Sequence, residues 1–217
     1  EKDELYLKAL DRLIEKHSGN PLIAQVYYAK ATYYNQKSSK YNPLNKETRQ
    51  FKQYKKTAHE ICTKTMKKFP DSEGAKLCKQ LKIELERVTI SFKTEDVVMP
   101  DKPFPLKFDY KNLKKIYLRV VSIDKSKYDK LAEKNYGAKF FDKIKSKSET
   151  VYETEYELPV NEDFNQHSVE LIMKSLPIGF YVCMIANNKE FSYEKNIAAS
   201  APFYVSDISF IKRVKND

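Results

Sequence analysis

Residues 97–121, VVMPDKPFPLKFDYKNLKKIYLRVV, mark where the chain changes its period. Pro100, Pro103 and Pro105 fall close together, and two alternating apolar–polar runs follow almost without a gap. Proline lacks a backbone N–H and fixes its own φ. Prolines bracketing MPDKP therefore stop one strand and keep its edge from pairing further. Beyond this bend Phe104, Leu106, Phe108 and Tyr110 alternate with Pro105, Lys107 and Asp109, and Ile116 to Ile123 forms the next run. A period of two sends successive side chains to opposite faces, as a strand with one face in a core requires.

The same period extends outward from this stretch. Val88, Ile90 and Phe92 alternate with Thr89, Ser91 and Lys93. Tyr152, Thr154, Tyr156 and Leu158 stand opposite Glu153, Glu155 and Glu157, and Val169, Leu171 and Met173 repeat the pattern. Phe180 to Ala186 and Phe203 to Phe210 complete the set. About seven short strands with one solvated face each predict an antiparallel, Ig-like β-sandwich over residues 87–217. Residues of about 125–148 break the alternation. There Tyr128, Leu131 and Ala132 fall at helical spacing among many lysines, so a partly helical insertion is expected. Gly179, one of four glycines, sits in the turn ahead of a buried strand and is expected to answer a backbone need.

Upstream, residues 1–86 read as helix. Tyr6, Ala9, Leu10, Leu13, Ile14 and His17 share one face, and Ser18-Gly19-Asn20-Pro21 ends that helix and starts another. Ile23, Val26, Tyr27, Ala31 and Tyr34 form the second stripe. A polar loop, SSKYNPLNK, follows; Phe51, Tyr54, Ala58, Ile61, Cys62, Thr65, Met66 and Phe69 mark a third helix closed by Pro70. Asp71 or Ser72 can cap a fourth, with Ala75, Cys78, Leu81 and Leu85 inward. LIEKHSGNPLIAQVYYAKA and CTKTMKKFPDSEGAKLCKQ align on Pro21 and Pro70. A repeated antiparallel helix pair of this kind resembles a tetratricopeptide arrangement, with the inserted loop lengthening the ~34-residue unit. The expectation is an α+β chain: a helical domain at 1–86, then the sandwich at 87–217.

Composition limits the function. The net charge of +10 comes from 40 Lys and Arg against 30 Asp and Glu, with mean hydropathy of −0.68. Arginine is scarce and scattered, at Arg12, Arg49, Arg87, Arg119 and Arg213, so a solvated basic surface is expected rather than a nucleic-acid interface. With 16 Tyr and 12 Phe the chain is too aromatic for disorder. It opens on Glu1, and no apolar run is long enough for a signal core or membrane span; a soluble piece of a longer chain is expected.

Chemistry-bearing clusters are sparse. Four glycines exclude Gly-rich phosphate loops. His59 and Cys62 lie one helical turn apart, but zinc needs three or four ligands and no second pair is suitably spaced; a packed helix edge is the expectation. Glu153, Glu155 and Glu157 share an open strand face, solvated or facing the lysines of the insertion, not the opposed pair that hydrolysis needs. Cys62, Cys78 and Cys183 form no CxxC pair and read as buried thiols. No enzyme activity, cofactor or metal is expected. Tyr27, Tyr28, Tyr33 and Tyr34 surround most of one helix, so they are the candidate protein-binding residues, against the plain alternative of packing between helices.

The stretches VTISFKTEDVVMPDKPFPLKFDYKNLKKIYLRVVSID, HSVELIMKSLPIGFYVCMIANN and APFYVSDISFIKR, with KKFPDSEGAKLCKQL ahead of them, carry a family resemblance. The chain resembles the N-terminal region of bacterial, Bacteroidetes-type alpha-2-macroglobulin family proteins: tetratricopeptide-like helices followed by a first macroglobulin-like domain. The resemblance implies a large periplasmic or cell-surface protein that traps proteases, often anchored through a lipid outside this segment. It implies target proteases or an envelope protein as partners, and a monomeric fragment. No cysteine here fits the family's Cys-x-Glu-Gln thioester pattern. The expected role is a non-catalytic structural and interaction module; the alternative is a peptide-binding adaptor using the tyrosine face.

Overall fold

Asn20 and Pro21 open the second helix as their chemistry dictates. In the computed structural model, which describes residues 2–193 and 197–208, Asn20 Oδ1 accepts from Leu22 N at 2.9 Å. Helix α1 spans Lys2–Lys16, and the 3-10 turn Pro21–Ile23 leads into α2, Ala24–Lys37. Helices α3 and α4 are Tyr54–Lys68 and Glu73–Glu86. Phe51, expected to start the third helix, instead ends a 3-10 segment, Lys46–Phe51, whose first turn is capped by Asn45 Oδ1 accepting from Glu47 N at 2.9 Å. Ser72, not Asp71, caps α4: its hydroxyl oxygen accepts from Ala75 N at 3.2 Å.

The chain forms two compact units, Glu1–Arg87 with Asn161–Asn165, and Val88–Val160 with Gln166–Asp217. In the helical unit, α2 lies against α1, α3 and α4. Its core is built from small groups, Ala31, Ala58, Cys62 and Cys78, closed by Leu81 and Leu85. Small residues let helix axes approach, and the tightest approach is at Gly74. A Cβ there would lie 2.5 Å from Gln25 N and closer still to the Ala24 carbonyl group. The short segment Asn161–Asn165 belongs to the same unit. Asn165 Nδ2 donates to Lys52 O at 2.9 Å, and Phe164, at φ 57, stacks on His59 with centroids 4.5 Å apart.

The β unit has eight strands among the described residues: β1 Thr89–Lys93, β2 Val97–Val98, β3 Phe104–Lys111, β4 Lys115–Ser122, β5 Glu149–Glu157, β6 His167–Met173, β7 Gly179–Ala186 and β8 Ala198–Val205. They form a three-stranded sheet, β1-β3-β6, and a five-stranded sheet, β2-β8-β7-β4-β5. The count exceeds the expected seven through β2, whose two residues are too few to show a period. β2 also departs from the antiparallel expectation, pairing parallel with β8. The last strand, expected at Phe203 to Phe210, instead begins at Ala198 as β8, where small residues hide the alternation, and ends at Val205; residues 206–208 lie outside it and 209–210 outside the described residues.

The MPDKP bend is where the chain crosses between sheets. β1 and β3 lie in one sheet and β2 in the other, so the chain crosses over before β2 and the prolines stand at the crossing back. Asp101, at φ 55 between them, donates its N–H to Leu176 O at 3.2 Å. Pro105 sits inside β3 because pairing with β1 stops at Lys107, which leaves β3 an unpaired side there.

Phe104, Leu106, Phe108 and Tyr110 of β3 meet Ile116, Leu118 and Val120 of β4 and Tyr181, Cys183 and Ile185 of β7 in one core between the sheets. A second core covers the other face of the five-stranded sheet. It joins Val121, Val182, Met184, Ala186 and Ala198 to Phe141 and Ile144. The insertion is thus two helices, α5 Lys125–Lys134 and α6 Gly137–Lys147, forming a third layer. Gly179 has no unusual dihedral; its need is space, since a Cβ would lie 3.0–3.2 Å from the Tyr181 ring, whose hydroxyl donates to Pro177 O at 2.9 Å.

Gly74→Ala forces a methyl into the α2 backbone, so the helical unit should lose roughly 2 kcal/mol or more in denaturant unfolding. Gly19→Ala, which meets open space, serves as the comparison and should stay within about 0.5 kcal/mol of wild type.

Candidate functional site

The four tyrosines of α2 divide by their position around the helix. Tyr27 turns toward Ile23, Ala24 and Phe69, with its ring 6.4 Å from that of Phe69. Tyr34 packs onto the core formed with α3 and α4 and meets the Tyr54 ring edge-on at 5.1 Å. These two are structural. Tyr28, which also packs onto that core, and Tyr33 are half-buried and line a groove of about 480 Å³ formed by α1 and α2.

Tyr6 of α1 completes the wall, its ring 5.6 Å from Tyr33. The sequence reading placed Tyr6 on the inward face of α1, yet it is 44% exposed. Leu13 is equally exposed, Ala9 and His17 are exposed as well, and Leu10 is the buried member of the stripe, because α1 packs chiefly on α2. Thr32 Oγ1, buried beside the groove, has no hydrogen-bond partner among the described residues. Lys37 closes one end: Nζ lies 2.6 Å from Asp3 Oδ2 and 5.4 Å from the Tyr33 ring centre. The hydrogen bond from Lys37 holds the Asp3 carboxyl below its ordinary range, and its counterpart raises Lys37. Burial, followed by the Asp3 charge, pushes the Tyr33 phenol up. The groove therefore offers neutral aromatic faces and a hydroxyl beside a paired charge, suited to holding a chain segment rather than to proton transfer.

The remaining candidates resolve into structural roles. Glu153, Glu155 and Glu157 face β4, not the lysines of the insertion. The register sets Glu153 opposite Arg119, Glu155 opposite Tyr117 and Glu157 opposite Lys115. Lys115 Nζ reaches Glu155 at 3.0 Å and Glu157 at 2.7 Å, which raises its pKa. Arg119 Nε lies 2.6 Å from Glu153 Oε1, an ion-pair distance without hydrogen-bond alignment, and its guanidinium stacks 4.2 Å above Phe191. Cross-strand neighbours are simply nearer than a helix in another layer. His59 and Cys62 part company: His59 Nε2 meets Glu86 Oε1 at 2.8 Å, while Cys62 turns inward to Cys78. Among the described residues no three His, Cys, Asp or Glu side chains gather as a metal would need, and no helix is long and apolar enough to cross a membrane.

No family model matches the sequence, and no curated protein matches it. The chain has structural neighbours among solved proteins. One is the fragment of native alpha-2-macroglobulin from Escherichia coli spanning domains MG0-NIE-MG1, with a TM-score of 0.37 and 14% identity over 56% of this chain and 40% of that one. Another is the CARDB domain of the PF1109 protein from Pyrococcus furiosus, solved with di-metal ions, with a TM-score of 0.31 and 13% identity over 55% and 88%. The alkylpurine DNA glycosylase AlkC of Pseudomonas fluorescens, bound to DNA containing an abasic site analog, gives 0.28 and 8% over 88% and 54%. At these scores the likenesses carry no functional weight.

Glu86 gives the helical unit a pH dependence of known sign. Lys82 first, then His59, hold its carboxyl below the ordinary 4.5. A depressed folded-state pKa stabilises above the unfolded value and loses that contribution as pH falls through the folded one. Wild type should therefore exceed Glu86→Gln by up to about 1 kcal/mol at pH 7, the pair being partly exposed. In denaturant titrations this margin should shrink as pH falls below the unfolded value of about 4.3 and disappear beneath the lower folded-state value; a margin that stays constant down to about pH 2 contradicts the assignment.

Proposed function

We propose that this chain is a non-catalytic structural and interaction module from the N-terminal part of a large, protease-trapping protein of the alpha-2-macroglobulin family. The supporting observation is where the motif residues of the resemblance fall. The Pro-rich bend lies at the crossing between sheets, and the strand ending Tyr110-Lys111-Asn112 turns at Asn112, at φ 56. The strand Ile116-Tyr117-Leu118-Arg119-Val120 then enters the five-stranded sheet with Ile116, Leu118 and Val120 fully buried. The helices before it pack in succession, α1 on α2, α2 on α3 and α3 on α4, as a tetratricopeptide-like arrangement would require. In this reading the whole protein is periplasmic or at the cell surface, peripheral to the membrane through an anchor elsewhere. Its partners are target proteases or an envelope protein, not nucleic acid, and this segment itself is monomeric.

The test is the whole open reading frame and its product. Serial β-sandwich domains following Asp217 are expected, and the complete protein should compact and retain an attacking endopeptidase when incubated with it. A coding sequence that stops just past Asp217 would overturn the reading.

A second reading is favoured by the α1–α2 groove: a peptide-binding adaptor, in which Tyr6, Tyr28 and Tyr33 hold an extended segment. A peptide selected by display on the whole chain should lose at least about tenfold in affinity on Tyr33→Ala. Affinity unchanged in that variant removes the adaptor.

A further inference from the structure

Cys62 and Cys78 are 16 positions apart in sequence and on different helices, yet they meet. Cys62 belongs to the buried face of α3 with Ala58 and Thr65, and Cys78 to that of α4 with Ala75, Leu81 and Leu85. Both are 0% exposed in the same core cluster, and each is the group that most perturbs the other's hold on its proton. Cys183, also fully buried, lies in the β unit, in the core between the two sheets.

We propose that Cys62 and Cys78 are a convertible dithiol–disulfide pair, oxidised by a small-molecule or protein disulfide to a covalent staple between α3 and α4. Cys78 as thiolate attacks one sulfur of the oxidant, giving a mixed disulfide and expelling the first thiolate. Cys62 then loses its proton and attacks the Cys78 sulfur, forming the Cys62–Cys78 bond and expelling the second. Two protons and two electrons leave the protein, and the oxidant disulfide becomes two thiols. Because both sulfurs are sealed inside, exchange proceeds while α3 and α4 are parted, during folding or local opening. Once closed, the helices shield the bond from reductant.

The staple has a physical rationale. The helical unit relies on alanines and thiols for much of its core, which bury little apolar area per residue. A bond closing so short a loop restricts the unfolded chain and stabilises the folded one. In a reducing compartment the pair remains a hydrogen-bonded dithiol with the same fold. The inference does not depend on the proposed function, and either can fail alone.

The test uses the whole chain, unfolded and then refolded in a buffer of oxidised and reduced glutathione, and alkylated in denaturant before intact-mass analysis. The expected product lacks two hydrogens, takes up one alkyl group, and yields on digestion a linked peptide pair containing Cys62 and Cys78. Its Tm should lie roughly 10 °C above that of the reduced protein. The double variant Cys62→Ala, Cys78→Ala should show neither the mass change nor a reductant-sensitive Tm. Alkylation of all three cysteines after oxidative refolding would overturn the proposal, as would a mapped bond through Cys183. A Cys62–Cys78 bond that leaves Tm unchanged would overturn the stapling role.

Discussion

A strand that is apolar on both sides can exist only where both sides are covered. β7, GFYVCMIA, is such a strand, with Tyr181, Cys183 and Ile185 turned to one core and Val182, Met184 and Ala186 to another. Burying the first set requires the three-stranded sheet; burying the second requires α5 and α6. Leaving either face open would expose a row of large side chains at roughly 25 cal/mol for each Å². The crossing of the chain at MPDKP and the helical layer both follow from that one demand. So does the burial of Cys183, whose thiol is pushed up by desolvation and is inert.

The helical unit meets a different constraint. Its axes come close because the facing residues are small, and Gly74 against Ala24 sets the limit of approach. Small residues leave room for large ones elsewhere, and aromatic rings fill it. Tyr27 and Tyr34 are spent on packing, Tyr28 both packs and lines a groove, and Tyr33 stands at that groove where the Asp3–Lys37 pair closes one end. The groove wall and the packing thus draw on adjacent residues of a single helix. Charge plays a smaller part: the ion pairs of Glu153, Glu155 and Glu157 with β4 set the register of an edge strand.

Much of this was legible from periodicity. Phe104, Leu106, Phe108 and Tyr110 are the buried residues of β3, and Leu171 and Met173 those of β6, as their alternation requires. The helix starts at Pro21 and Ser72 could be read from capping chemistry. β2 could not, because two residues carry no period and its pairing with β8 joins positions more than 100 apart. Of the candidate site, Tyr28 and Tyr33 were visible as too many tyrosines for one buried face. Tyr6 was not, since helical spacing tells which face a residue shares but not how much of that face a neighbour covers.

By itself the sequence determined the two periods, the place where one gives way to the other, and which side of each element is apolar. These are local properties, set by backbone geometry within a few residues. Only the tertiary structure decided that MPDKP carries the chain between two sheets, that the lysine-rich insertion roofs the five-stranded sheet, and that Cys62 faces Cys78. Each of these joins residues far apart in the chain, and which apolar face meets which is fixed by shape and close packing, for which a periodic pattern holds no record.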